Sequence, residues 1–204
     1  MMSKDITPTM TLEKACSLLT PVYSPKDVEN IFGVSYTEEQ SAALQDIPFS
    51  EQTLKECAGT HMLFPGFPMS LLDVRAKYAN LFSSKTGGWY ANQKFATIQV
   101  QLVWHLLCME PVPGSLGKSW SEQRTLLAPN EEVSSAALVA FATMLHFKSS
   151  GKRLFEFAYV RTSDVGSGGY RVGVGSFDAD GFRVYLNWDD GRYDLLGLSA
   201  SRKF

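Results

Sequence analysis

The sequence has few of the residues that build disulfide scaffolds or metal clusters. Its 204 residues include three cysteines and three histidines. The cysteines, Cys16, Cys57 and Cys108, are odd in number and far apart, so no disulfide framework is expected. No N-terminal stretch combines a basic start, an apolar run and a small-residue cleavage site. We therefore expect a cytoplasmic protein.

The sequence also lacks a long apolar segment and a block of like charge. Its longest apolar run, near residues 99–109, is interrupted by Gln101 and His105 and is shorter than the roughly 20 residues of a membrane span. Residues 1–60 hold four lysines against nine acidic residues, and the remainder is nearly balanced. Because clustered Lys and Arg supply most affinity for nucleic-acid phosphates, we expect neither a nucleic-acid partner nor a membrane partner.

The composition is that of a globular protein. Hydrophobic residues are 45% and charged residues 20% of the chain, which excludes a disordered or fibrous class. A domain of this length buries roughly 70% of its unfolded surface, enough for a core without staples. We predict a single domain over residues 1–204, with no internal repeat, and no cofactor is needed to explain its stability.

The last quarter of the chain predicts an antiparallel meander of three to four strands. Apolar residues alternate over residues 154–161, 170–177, 182–188 and 193–199, and Asp and Gly clusters separate these segments. Asp190-Gly191 is typical of a two-residue hairpin loop. It would place Trp188 opposite Tyr193.

The turn at residues 178–181 leaves two registers open, and a one-residue slip turns every side chain to the other face. A four-residue loop would set two glycines beside Val184 and Leu186, whereas a three-residue loop sets Val172 and Val174 there. We choose the three-residue loop because it gives one continuous apolar face. The predicted buried face is Val172, Val174, Val184, Leu186, Trp188, Tyr193 and Leu195.

The first 150 residues predict about six or seven helices. Ser24, Thr37, Ser50 and Ser70 each precede a helical pattern as an N-cap, and Asn130 would cap a last helix over residues 131–149. Residues 60–69 predict an apolar loop. A long helix is predicted up to residue 109, although its β-branched content leaves a strand as the alternative.

The predicted fold class follows from this order of elements. Helices gather before the strands without alternation, so we expect an α+β protein. A helical layer formed by residues 1–150 would cover one face of the C-terminal meander formed by residues 151–204.

Two segments resemble nucleotide or DNA motifs. Residues 27–46 resemble a helix-turn-helix, but the second helix contains no Lys or Arg and would bring acidic groups toward phosphates. A structural helix pair is favoured, with a protein-docking face as the alternative. The Gly-Ser-Leu-Gly-Lys-Ser run at residues 114–119 has two residues between its glycines where a phosphate loop needs four, which favours an exposed loop.

Metal-ligand spacing is the next pattern. Cys57 precedes His61 by four residues, and His105 precedes Cys108 by three, which on the predicted helix would place the latter pair on one face. Four such ligands suffice for zinc. Neither spacing is a recognised zinc pattern, so we expect ordinary core cysteines and no metal.

Several residues are of the types that commonly line binding pockets. Trp89, Tyr90 and Arg161 are candidate binding residues, and Asp164 beside Arg161 adds a carboxylate that would face His61 if these segments meet. Turn formation explains residues 161–164 equally well.

Two function classes remain. We favour a non-enzymatic binding or interaction module for an unidentified protein or small molecule, because no catalytic set is complete. The alternative is a hydrolase or transferase that uses His61 with Asp164 or Cys57 as partner.

Overall fold

The computed structural model describes residues 10–84 and 87–204. This part of the chain contains seven α-helices, three short 3-10 helices and eight strands. The α-helices are Leu12–Leu18 (α1), Pro25–Phe32 (α2), Glu38–Ala43 (α3), Glu51–Glu56 (α4), Leu71–Lys77 (α5), Trp120–Arg124 (α6) and Ala136–Ser150 (α7). The 3-10 helices are Ala79–Leu81, Trp89–Asn92 and Lys94–Thr97. The strands are His61–Pro65 (β1), Trp104–Cys108 (β2), Glu131–Glu132 (β3), Tyr159–Val165 (β4), Arg171–Asp178 (β5), Gly181–Asn187 (β6), Leu196–Leu198 (β7) and Ser201–Arg202 (β8).

The predicted helix starts in the first half of the chain are confirmed. Ser24, Thr37, Ser50 and Ser70 are N-caps whose side chains accept a hydrogen bond from a backbone amide of the first turn. Three of the four form complete capping boxes, in which the residue three positions on returns a bond to the cap. Three of these helices are shorter than their sequence patterns predict: α3, α4 and α5 end at Ala43, Glu56 and Lys77, before the predicted ends at residues 47, 58 and 82.

The first sheet has the order β1-β2-β8-β3, and all its pairs are antiparallel. The long helix predicted up to residue 109 is therefore wrong, because this segment forms two short 3-10 helices followed by strand β2, the strand that was the alternative. Residues 60–69, predicted as a loop, contain β1, in which all five residues are buried. Trp104, Leu106 and Leu107 are buried in β2. A strand that is paired on both sides can be buried on both of its faces, which suits this apolar segment.

The second sheet has the order β6-β5-β4-β7 and is mixed, because β7 runs parallel to β4. The predicted facing of the valines is confirmed, with Val172 opposite Leu186 and Val174 opposite Val184. The predicted three-residue loop is wrong, because Asp178 pairs with Gly181 across a two-residue turn and a bulge between Gly175 and Asp178 shifts the register. The hairpin predicted at Asp190-Gly191 is wrong. Strand β6 ends at Asn187, and the chain crosses over to pair with β4 instead.

The outer end of the predicted apolar face is correspondingly exposed. Val172, Val174 and Val184 are buried, but Trp188 is 62% exposed and Tyr193 is 48% exposed. Leu186 and Leu195 are also exposed. A simple antiparallel meander is thus replaced by a mixed sheet with an irregular crossover.

The predicted single helical layer is also wrong. Helix α7 packs against α2, α5, β4 and β5, and every residue from Ala136 to His146 is buried. Phe141 of α7 stacks on Phe32 of α2 at 4.4 Å and on Phe64 of β1 at 6.0 Å between ring centroids. This helix therefore contacts both sheets, and the helices are not gathered on one sheet face.

The last helix also begins later than predicted. Its N-cap is Ser135 rather than Asn130, because Glu131 and Glu132 pair with β8 as strand β3.

None of the helices in residues 10–84 and 87–204 combines the length and the apolar character needed to cross a bilayer.

Candidate functional site

One concave site of the described residues lies on the second sheet. We call it the tyrosine groove, and its volume is about 610 Å³. It is lined by Tyr159, Tyr185, Asn187, Arg192, Tyr193, Asp194, Leu195 and Leu196. Three tyrosine rings and two leucines provide apolar surface, and the side chains of Asn187, Arg192 and Asp194 are polar.

Strand register explains why this face is concave. Tyr159 lies opposite Gly175 and Tyr185 lies opposite Gly173, and directly opposed residues in antiparallel strands share a face. The rings of Tyr159 and Tyr185 meet edge to face, with centroids 5.3 Å apart. The central strand between them carries no side chain at two alternate positions, which leaves room for neighbouring groups to lie close to this strand.

The amide of Asn187 occupies the space above Gly173. A Cβ at position 173 would lie 2.5 Å from Asn187 Nδ2, so the absence of a side chain there is what admits this amide. Asn187 Nδ2 is buried and has no hydrogen-bond partner. It is a donor beside the groove that the protein leaves unmatched.

The far wall of the groove is the crossover at residues 188–195, which Arg161 holds in place. Arg161 is fully buried, and its Nη2 donates to the carbonyls of Trp188 (2.9 Å) and Gly191 (2.6 Å). Its Nη1 donates to the Lys118 carbonyl (2.8 Å) and to Gln123 Oε1 (2.9 Å). Capture of these two loop carbonyls explains why the expected hairpin does not form.

Both edges of the second sheet are already bonded at several positions. At β6, the Phe182 carbonyl accepts from the Ser83 amide and the Val184 carbonyl accepts from Trp89 Nε1. At β7, the Leu198 amide donates to Ser115 Oγ and the Leu198 carbonyl accepts from the Val112 amide. A peptide strand adding to an edge would have to displace these bonds, so the open binding surface is the sheet face.

The second concave site, which we call the His61 cavity, lies at the first sheet and has a volume of about 400 Å³. It is lined by Gly59, Thr60, His61, Cys108, Glu110, Pro111, Val112, Pro113, Leu126, Glu131, Ala200 and Arg202. One side is apolar, and the other carries an imidazole, a thiol, two carboxylates and a guanidinium.

Burial favours the neutral forms of His61 and of the nearby thiols. It lowers the pKa of His61 to about 4, and the nearby Arg202 cation acts in the same direction. Burial also raises the pKa values of the Cys57 and Cys108 thiols. A neutral imidazole beside protonated thiols is the opposite of the thiolate and imidazolium pair of a cysteine nucleophile.

No protein-family model matches this chain, and no curated protein or solved structure shows significant similarity to it. Function is therefore argued from the two sites themselves.

The structure brings some of the predicted metal ligands together and separates others. His61 and Cys108 are opposed across β1 and β2 and both line the His61 cavity. His105 lies opposite Phe64 and therefore on the other face of the sheet, where its Nε2 is 3.0 Å from the Gln101 carbonyl. His105 and Cys108 are three positions apart, a spacing that places side chains on the same face of a helix but on opposite faces of a strand. Within residues 10–84 and 87–204, no group of three or more His, Cys, Asp or Glu side chains is placed to hold a metal ion.

The other predicted site residues do not converge on His61. Asp164 Oδ2 accepts from the Ala136 amide at 2.6 Å, at the start of α7. Trp89 is bonded to the edge of β6, and Tyr90 is buried. Of this set, only Arg161 touches the wall of a concave site, and it does so as a support.

The residues of the tyrosine groove were missed in the sequence. Tyr159, Tyr185 and Asn187 belong to no histidine, cysteine or acidic motif, so no motif marks them as site residues. A usable signal was present, since Gly173 and Gly175 alternate with valines within a predicted strand. A strand interior with alternate glycines often marks a close approach by a ligand or another backbone.

Proposed function

We propose that this protein is a non-enzymatic binding module and that the tyrosine groove holds its small-molecule ligand. The observation that carries the proposal is the pairing of a concave sheet face lined by three tyrosines with an unmatched donor, Asn187 Nδ2. Small-molecule sites are concave, mostly apolar and supplied with a few placed polar groups. The groove has this composition.

The lining favours an uncharged, ring-shaped ligand with a polar rim. Arg192 and Asp194 contribute opposite charges, and Arg192 is already paired with Glu122. The rings of Tyr159 and Tyr185 offer apolar surface with a hydroxyl at one end of each. A sugar ring has apolar C–H faces and hydroxyls that both donate and accept, so a neutral saccharide matches the groove.

The alternative of a hydrolase or transferase centred on His61 has weaker support. Asp164 lies at the N-terminus of α7 rather than beside His61. Cys57 is fully buried, and the pKa of its thiol is raised by that burial. These positions leave His61 without the partners that the catalytic hypothesis requires.

Binding can be measured with methyl glycosides of glucose, galactose and N-acetylglucosamine. At about 0.3 kcal/mol per non-hydrogen atom, a methyl hexoside is expected to bind with a Kd near 1 mM. A titration followed by ¹H–¹⁵N NMR should shift the side-chain amide of Asn187 saturably. No shift with any of the three glycosides would refute the saccharide assignment.

Tyr185→Ala tests whether the ring is part of the site. Tyr185 is 52% exposed, so its removal should leave stability nearly unchanged while weakening binding about tenfold, the effect of losing about 1.4 kcal/mol. The matched control is Phe157→Ala, since Phe157 is an aromatic residue that is 77% exposed and does not line the groove. Equal affinities in the two variants would contradict the proposed site.

A further inference from the structure

The polar side of the His61 cavity carries two buried nitrogen atoms that the described residues leave without a hydrogen-bond partner, His61 Nε2 and Arg202 Nε. His61 is only 5% exposed. Arg202 Nε lies 3.6 Å from Glu131 Oε1, beyond hydrogen-bonding distance. Because buried polar groups are normally matched, these two atoms point to a ligand in the cavity.

Strand pairing places both side chains on one face of the first sheet. His61 lies opposite Cys108 of β2, and Arg202 lies opposite Leu106 of the same strand. Since Leu106 and Cys108 are two positions apart, their side chains and those of their partners share a face. One ligand lying on this face can therefore meet both His61 and Arg202.

Thr60 fixes which nitrogen of the His61 ring carries the proton. The Thr60 hydroxyl donates its hydrogen to the Cys57 carbonyl at 3.0 Å. The same hydroxyl oxygen lies 2.8 Å from His61 Nδ1 and, because its hydrogen is already in use, accepts there. Nδ1 is therefore protonated, and Nε2 of the neutral ring is an acceptor.

The two unmatched atoms thus have opposite hydrogen-bonding roles. His61 Nε2 accepts, whereas Arg202 Nε donates in every protonation state found in proteins. An ether or a carboxylate has no hydrogen for Nε2, and an ammonium has no lone pair for the guanidinium. A hydroxyl has a hydrogen and lone pairs on one atom, so it can match both.

We propose that the His61 cavity binds a small neutral alcohol, whose hydroxyl donates to His61 Nε2 and accepts from Arg202 Nε. The hydrocarbon part of the alcohol packs against the apolar side formed by Pro111, Val112, Pro113, Leu126 and Ala200. The volume of about 400 Å³ is within the range of small-molecule sites. This second site is on the other sheet and does not depend on the tyrosine groove.

Four probes that share a cyclohexyl ring test the assignment, namely cyclohexanol, methoxycyclohexane, cyclohexylammonium and cyclohexanecarboxamide. Each is titrated at pH 7 while the His61 ring is observed by long-range ¹H–¹⁵N NMR. We expect the free ring to be protonated on Nδ1 and cyclohexanol to shift the Nε2 resonance saturably in the millimolar range. The ether and the ammonium should each bind about tenfold more weakly, because each leaves one buried atom unmatched.

Several outcomes of these titrations would overturn the proposal. A free ring protonated on Nε2 overturns the acceptor argument, and an absence of saturable shifts with cyclohexanol overturns the site. Equal binding of the ether overturns the need for a ligand hydrogen. Tighter binding of the ammonium or of the carboxamide overturns the choice of an alcohol.

Thr60→Val tests the hydroxyl that fixes the ring. Thr60 is exposed, so the thermal midpoint should be nearly unchanged, while Nδ1 loses its acceptor. We expect part of the ring population to move its proton to Nε2 and cyclohexanol to bind about fivefold more weakly. The matched control is Thr97→Val, because Thr97 is also exposed and its hydroxyl also donates to a carbonyl three residues earlier. An unchanged tautomer in Thr60→Val would overturn the acceptor argument.

Leu126→Trp tests whether the probe occupies this cavity. Leu126 lines the cavity and is 38% exposed, so a larger ring there should abolish cyclohexanol binding with an unchanged thermal midpoint. Unchanged affinity in this folded variant would show that the probe binds elsewhere and would overturn the site.

Discussion

Replacing Arg161 with methionine tests what holds the wall of the tyrosine groove. The guanidinium donates four hydrogen bonds through its two Nη atoms, each worth about 1.5–3 kcal/mol when the donor is charged. The cost of burying the cation, several kcal/mol, offsets much of that sum, and this burial lowers the pKa of Arg161. Methionine has a similar volume but leaves the carbonyls of Trp188 and Gly191 without their donor. We expect a net loss of about 3–5 kcal/mol in the free energy of unfolding, the range for breaking a buried charged network.

Urea unfolding of the purified Arg161→Met variant measures this loss directly. Arg161→Lys is the matched control, because a lysine ammonium keeps the charge but cannot serve four acceptors in two directions, so an intermediate loss is expected. Hydrogen exchange of the backbone amides at residues 188–195 should accelerate most in the methionine variant. A loss below about 1 kcal/mol would mean that the cost of desolvation cancels the hydrogen bonds, and the reasoning would be refuted.

Three further predictions concern single buried positions. Leu145→Ala should cost about 2–5 kcal/mol in urea unfolding, since Leu145 is fully buried in α7; a loss under 1 kcal/mol would contradict its core position. His61→Asn should reduce acid destabilisation: the folded pKa of about 4 lies below the unfolded value near 6.5, so His61 contributes about 3 kcal/mol that is present above pH 6.5 and lost as the pH falls toward 4. Comparing urea unfolding at pH 7 and pH 4.5 checks this, and the slope left in the variant comes from His105 and His146, whose pKa values burial also lowers. Gly181→Ala should cost at least about 2 kcal/mol in the same assay, because its φ is +108° and a Cβ would lie 2.7 Å from the Ser83 amide nitrogen; an unchanged midpoint would contradict this.

Local chemistry was predictable from the sequence. The N-caps at Ser24, Thr37 and Ser70 depend on residues three positions apart, so no distant contact is needed to recognise them. The facing of the valines in β5 and β6 was also correct, because one continuous valine face leaves a single consistent pairing. Both results come from interactions between neighbours in the chain.

The long-range pairings were not predictable in the same way. Residues 104–108 are apolar on nearly every side, and such a segment suits a buried strand as well as a buried helix. Whether this segment forms a strand or a helix depends on pairing with the neighbouring strand β1, whose residues the sequence predicts as a loop. Likewise, the Asp190-Gly191 pair favours a hairpin locally, but the buried guanidinium of Arg161 binds the carbonyls of residues 188 and 191 and stabilises a crossover instead.

His61 and Arg161 were both selected from the sequence for their chemistry, and their surroundings now separate their roles. All four Nη hydrogens of Arg161 meet fixed acceptors within the chain, and the residue lines neither concave site, so its charge is used to hold a loop. His61 lines a cavity and leaves Nε2 without a partner, so this nitrogen is not committed within the protein. Residue type alone does not distinguish these two roles, since each side chain is polar and buried. The difference lies in how many acceptors distant segments of backbone bring within reach, and this number is fixed only when the chain has folded.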